Sequence, residues 1–191
     1  MIQRRVRATG FTIIELLTAV AIAAILIAIA APSFAEFLAK RRVEGVMSEL
    51  VTDFQYTRSE AVRRNETVRM TFGAGCYVIH AVSVSASATD CSLSGSDIKT
   101  VQIDSNRLLL KPEAPLTYVE FEPVRGTAAK GPPSAGSARV DVCVPNAART
   151  DCGSSATAWR LRAVVSPPGR VEACSPTGSG HVNGYSSNNC S

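Results

Sequence analysis

From Phe11 to Ala31 the chain is almost wholly apolar, and Glu15 is the one charged residue in that run. At 1.5 Å per residue a helix over this stretch reaches roughly 30 Å, the thickness of a bilayer core. The segment is long enough to span a membrane. Ala21, Ala24, Ala28 and Ala31 recur at spacings of three and four, which gives a small-residue face suited to close helix packing. Beyond Pro32 the helical period continues with a polar side added. Phe34, Phe37, Val43, Val46, Met47, Leu50, Phe54 and Ala61 form the apolar stripe, while Glu36, Lys40, Arg41, Glu44, Glu49, Asp53, Arg58 and Arg63 are assigned to the other faces. The pattern predicts one helix from Phe11 to Arg64, about 80 Å long, whose second half carries a globular domain.

After Asn65 the period changes from helical to alternating. In "VRMTF", Val68, Met70 and Phe72 share one face and Arg69 and Thr71 the other, as in a half-buried strand. Further strands are predicted at Tyr77–Val84, Leu108–Leu110, Leu116–Phe121, Val140–Val144 and Trp159–Val165. In the last of these, Trp159, Leu161, Ala163 and Val165 point one way and Arg160 and Arg162 the other. "SPPGR", Ser166 to Arg170, then turns into a short strand holding Val171 and Ala173. Ser83–Asp97, Gly126–Ala138 and the tail from Ser175 are rich in small or polar residues and read as loops. The fold class is α+β: a long N-terminal hydrophobic stem helix packed on a small antiparallel β-rich head. The organisation expected is 1–10 as a leader, 11–32 and 33–65 as the apolar and amphipathic halves of the stem, and 66–191 as the head.

Charge changes this picture little. The formal balance is +4, but Arg4, Arg5 and Arg7 precede the apolar run, and without them the two signs nearly cancel. Cysteine usage changes it more. Cys76, Cys91, Cys143, Cys152, Cys174 and Cys190 all follow the hydrophobic helix, and an even set after a membrane signal points to disulfides in an oxidising compartment. Sequential pairing, 76 with 91, 143 with 152 and 174 with 190, needs the shortest loops, although the other connectivities stay open. There is no C-x-x-C and only two histidines, His80 and His181, so no metal site is expected. His80 lies in the apolar strand "CYVIHAV" and reads as a hydrogen-bonded sheet residue. No nucleophile motif, phosphate-binding loop or metal-spaced acidic cluster occurs, so neither an enzymatic role nor a cofactor is expected.

The order of basic residues, Gly10 and then the apolar run places a small residue before the hydrophobic segment, whereas a secretory signal carries its cleavage site after it. In "GFTIIELLTAVAIAAILIAIAAP", Gly10, Phe11, Thr12, Glu15 and Pro32 resemble the prepilin leader of type IV pilins and type II secretion pseudopilins. That resemblance implies cleavage between Gly10 and Phe11 by a prepilin peptidase, N-methylation of Phe11, and Glu15 at the fifth position of the mature chain. A carboxylate there can compensate the positive amine of Phe11, its own or a neighbour's, so Glu15 is expected to set assembly register and Pro32 to bend the stem. A simpler reading places Glu15 at headgroup level of a plain membrane anchor.

"LVTDFQYTRSEAVRRNETVRM", Leu50 to Met70, and "WRLRAVVSPPGRVEAC", Trp159 to Cys174, are similar to the helix-to-strand signature and closing hairpin of GspH/FimT-type minor pilins and pseudopilins. Within the first stretch Arg58, Glu60, Arg63, Arg64 and Asn65 serve either as a helix terminus or as a contact for another subunit. Some FimT-like pilins capture DNA through a Gly-Arg-x-Arg motif. Here Gly169 and Arg170 match, but Glu172 stands where the second arginine would be; Arg160, Arg162 and Arg170, joined by Arg139, are the candidate DNA-binding residues.

The resemblance thus implies a minor pilin that helps to assemble or prime a type IV pilus, with a type II secretion pseudopilin and a DNA-binding pilin as alternatives. The six head cysteines favour the externally exposed pilus. Expected partners are the prepilin peptidase, other pilins or pseudopilins, the inner-membrane assembly platform and the inner membrane, with DNA as a further candidate. The expected location is the inner membrane, single-pass with a periplasmic head, and the fibre after assembly.

Overall fold

The computed structural model describes residues 11–84, 91–92, 97–132, 136–178, 180–188 and 190. Gly10 and the rest of the leader lie outside the described residues. Helix α1 spans Ile13–Arg64 over 52 residues, its backbone passing through Pro32. The chain divides into two compact units, Met1–Leu38 and Ala39–Ser191.

In the first unit, Ile13–Ala31 is apolar and long enough to cross a membrane, and none of its side chains is buried within the chain. Its large residues, from Phe11 through Ile29, all stand exposed. An apolar surface of this kind has to be covered by lipid or by other helices.

Among its described residues the second unit carries nine strands: β1 Val68–Gly73, β2 Cys76–Ala81, β3 Lys99–Gln102, β4 Leu109–Pro112, β5 Tyr118–Phe121, β6 Ala128–Gly131, β7 Ala138–Cys143, β8 Arg160–Val165 and β9 Val171–Cys174. They form two antiparallel sheets, ordered β3-β2-β1-β5-β6 and β4-β7-β8-β9. Alternation sets which face is buried. Val68, Met70 and Phe72 of β1, Val119 and Phe121 of β5, Val140 and Val142 of β7, and Leu161, Ala163 and Val165 of β8 all enter one core. Within this unit the apolar stripe of α1 completes that core, with Val43, Leu50, Phe54 and Ala61 wholly buried and Met47 nearly so. A helix stripe and two half-apolar sheets each bury what the others would leave wet, which is the driving force for the arrangement.

Two readings need correction, the strand count and the place of Asp53, and the reading of His80 stands. Two strands, β3 and β6, occur where alternation gave no signal, and β6 lies inside the stretch Gly126–Ala138 read as a loop. Asp53, assigned to the polar side of the helix, is buried; its carboxylate accepts hydrogen bonds from Tyr77 Oη (2.7 Å) and Lys99 Nζ (2.7 and 2.8 Å). His80 is a hydrogen-bonded sheet residue: Nε2 meets Thr71 Oγ1 at 2.9 Å, Nδ1 meets the Ala81 carbonyl at 2.8 Å, and burial holds its pKa below the usual value.

The structure contains disulfides Cys76–Cys91, Cys143–Cys152 and Cys174–Cys190. Cys76 clusters with Val78 and Cys91, apart from the main core. By strand parity Cys143 lies on the same side of β7 as Asp141, and Cys174 on the same side of β9 as Glu172, away from the core residues between them. Each bridge therefore ties a segment to the outward face of a sheet.

Candidate functional site

The start of the stem has its own local logic. Thr12 immediately precedes the first helical residue, and its Oγ1 accepts the Glu15 backbone N–H at 3.3 Å, half of a T-x-x-E capping box. Glu15 thus stands in the first turn, where a carboxylate is favoured by the helix dipole. Phe11 is exposed beside it. The structure gives Glu15 a place at the helix start that is independent of any other subunit.

The far end of the helix is closed by backbone chemistry. Asn65 adopts φ +52°, the Glu66 N–H bonds to the Ala61 carbonyl (3.2 Å), and the Asn65 N–H bonds to the Val62 carbonyl (3.3 Å). This is the paired 6→1 and 5→2 arrangement of a Schellman stop, with asparagine tolerating the left-handed position. Glu60 accepts from Arg63 Nε and Nη2 at 2.9 and 2.6 Å and from Arg64 Nε at 2.9 Å. Hydrogen bonds from Arg63 first, then Arg64, outweigh the effect of burial and hold the Glu60 carboxyl at about 2, well below its ordinary 4.5. Four of the five residues singled out here, Glu60, Arg63, Arg64 and Asn65, have local partners at the helix end.

Arg58 differs from them. Its Nη1 donates to the Gly169 carbonyl at 3.4 Å, and its side chain lies against both Gly126 and Gly169. Those two glycines have φ +61° and +81°, and they occupy turns belonging to different sheets.

The candidate DNA-binding arginines occupy the head but do not form a free cationic patch. The β7–β8 register sets Arg162 opposite Asp141, so two residues that are far apart in sequence share the outward face of one sheet. Asp141, buried at 5% exposure, accepts from Arg162 Nε at 2.7 Å and also from Arg160 Nη2. Arg162 Nη1 further donates to the Cys190 carbonyl at 2.8 Å, and the bond to Asp141 raises the arginine's pKa. Arg170 pairs with Glu172, and Arg139 pairs with Glu113 at 3.0 Å. Because DNA affinity depends on phosphate neutralisation by available cations, each of these pairs lowers it. We expect the disulfide-bonded protein to show no salt-sensitive micromolar DNA affinity in fluorescence anisotropy at low salt, and Arg170→Ala to change nothing. Tight binding that falls with salt and with that variant would refute this.

Among the described residues no group of three or more His, Cys, Asp or Glu is placed to hold a metal ion. An N-terminal helix with an apolar run long enough to cross a membrane, followed by a disulfide-bonded β head, is a pilin-like α+β arrangement. The family model described as "Type II transport protein GspH" matches residues 47–169, and that of the "Prokaryotic N-terminal methylation motif" matches residues 5–31. The chain belongs to the GspH family of minor pilins and pseudopilins. Two crystal forms of the type IV minor pilin FimU of Pseudomonas aeruginosa are similar to it in structure. The P21 form is 15% identical with a TM-score of 0.49, covering 71% of this chain and 90% of that one. The P65 form is 14% identical with a TM-score of 0.48, covering 72% and 99%. No curated protein matches the chain. Family and motif together imply processing by a prepilin peptidase, assembly with other pilins, membrane anchoring, and a structural rather than enzymatic role.

Proposed function

We propose that this protein is a minor pseudopilin of a type II secretion apparatus, anchored in the inner membrane with its head in the periplasm. The observation that carries this reading is the GspH match over residues 47–169, whose description is of type II transport. It moves the reading away from the type IV pilus that the six cysteines favoured. Disulfides suit the periplasm as well as the outside of the cell, so the cysteine argument does not separate the two systems.

In this reading cleavage after Gly10 frees the amine of Phe11, and the stem leaves the bilayer as it enters a fibre. The exposed apolar face of Ile13–Ala31 is then covered by other stems in place of lipid. Glu15 sets register by meeting a Phe11 amine inside that apolar layer, and Pro32 belongs to the same assembly segment. The head, which begins beyond the stem helix, makes the lateral contacts.

Deleting the gene in its own bacterium is expected to abolish or sharply reduce export of folded proteins while leaving surface pili in place. A Glu15→Leu copy should be processed and inserted yet fail to restore export. Loss of pili with normal export would overturn the secretion reading and return the type IV pilus to first place.

A further inference from the structure

Neither the helix stop nor the paired arginine face accounts for the groove beside the last turns of α1. Gln55, Arg58, Ser59 and Val62 recur at three- and four-residue spacing and line one side; the 169–171 turn between β8 and β9 lines the other. The groove holds about 620 Å³. Its apolar lining comes from Val62, 58% exposed, and from the half-buried Val171, beside Gln55, Ser59 and Arg170. Gln55, Arg58, Ser59 and Val62 all stand exposed, so this face of the last turns of α1 is open to a partner.

The charge in the groove lies against two glycine turns. A Cβ on Gly126 would stand 2.6 Å from Arg58 Nε, and one on Gly169 would stand 2.2 Å from the Gly126 carbonyl oxygen. Both turns therefore need glycine to approach one another and the guanidinium, which lies against them while the arginine as a whole stays exposed. Arg63, Arg64, Arg160, Arg162 and Arg170 each have a carboxylate partner. Among the described residues Arg58 has none within ion-pair distance; its one hydrogen bond recorded there is the long contact to the Gly169 carbonyl. A guanidinium with donors to spare, in a groove also lined by Val62 and Val171, is complementary to a carboxylate flanked by apolar side chains.

We propose that this groove receives the stem of a neighbouring filament subunit, with a carboxylate of that stem seated on Arg58 and its apolar neighbours on Val62 and Val171. This chain's own stem carries such a segment: just beyond the membrane-length run, exposed Glu36 lies between Phe34 and Phe37, which are 61% and 50% exposed. Helix-on-helix docking along the face 55–62 matches the groove's elongated helical wall. This inference rests on the filament reading above, but not on which of the two filament systems is correct.

The test places a photo-crosslinking amino acid at Ser59 of the full-length chain in its native membrane, with the crosslinked peptide sequenced. The expected result is an adduct with a pilin-like subunit, mapped to that partner's stem at an acidic residue just beyond its apolar run. Arg58→Glu and the surface change Val62→Glu should each lower the yield about fivefold or more, and reversing the charge of the mapped acid should restore it in Arg58→Glu. Val62→Glu keeps the test sound if Arg58→Glu fails to fold, which the disulfides and the Trp159 emission report. Adducts mapped only to partner heads or to a protein outside the filament would overturn the proposal, as would a yield indifferent to both variants. So would no adduct from a chain that still supports export. An export phenotype that is missing altogether instead strikes at the secretion reading alone.

Discussion

Reduction of the three disulfides is expected to unfold the head at about 37 °C, with thermal unfolding of the full-length protein in detergent as the readout. The bridges close short segments, with sequence separations of 15, 9 and 16. In the chain-entropy account loops of this size are each stabilised by about 3 kcal/mol. Together the three contribute an amount comparable to the whole net stability of an ordinary domain, about 5–15 kcal/mol. Their positions add to the effect, because each ties a segment to a sheet face that the main core does not cover. The tail shows this best. Val182 is fully buried, the Arg160 N–H donates to the Gly180 carbonyl at 2.9 Å, and Arg162 donates to the Cys190 carbonyl. Replacing Cys174 and Cys190 by serine alone should lower the melting temperature by roughly 10 °C. Trp159, the single tryptophan, packs against the core and has Lys40 Nζ 5.6 Å from its ring, so its emission follows the loss of packing directly. A reduced protein that melts where the oxidised one does would show that the bridges are incidental.

The parts of this molecule that were legible in the sequence are those where one physical requirement acts locally. Val43, Met47, Leu50, Phe54 and Ala61 repeat at helical spacing because a helix can bury only one stripe, and all five are buried. The alternation of β1 and β8 is equally direct, since each presents one face to the core. Strands β3 and β6 have no such pattern. "KTVQ" and "AAKG" lie at the two edges of the larger sheet, where pairing with β2 and β5 supplies the order that side chains do not. The arginine face was half legible: alternation put Arg160 and Arg162 together, but the buried Asp141 that binds both depends on the β7–β8 register, which a single sequence does not reveal. Arg58 likewise reads as one more helix-end cation until two distant glycine turns are brought against it.

Asp53 is the residue whose role the helical wheel most misjudged, and its replacement by alanine is expected to cost about 2–4 kcal/mol. The reason is where its partners sit. Its carboxylate joins α1 to Tyr77 on β2 and to Lys99 on β3, linking the helix to two strands of the larger sheet. Lys99 would survive the loss, because it is partly exposed and has Glu49 Oε1 at 3.3 Å. Tyr77 would not; at 1% exposure its hydroxyl would be left dry and unpaired, and that penalty accounts for most of the effect. Asp53→Ala should therefore lower the melting temperature by about 5–15 °C, whereas Tyr77→Phe, which removes the donor along with its need for a partner, should cost closer to 1 kcal/mol. The two changes together should cost less than their sum. The same pair predicts a pH dependence. Burial first, and the hydrogen bond to Asp53 second, raise the Tyr77 pKa, so the folded protein keeps a proton that the unfolded chain releases near its ordinary value of 10. That contribution to stability is complete below pH 10 and is lost as the pH rises above it, and Tyr77→Phe should flatten this alkaline limb. A melting temperature within a degree or two of wild type in Asp53→Ala would mean that packing of the helix stripe alone fixes α1 to the sheet.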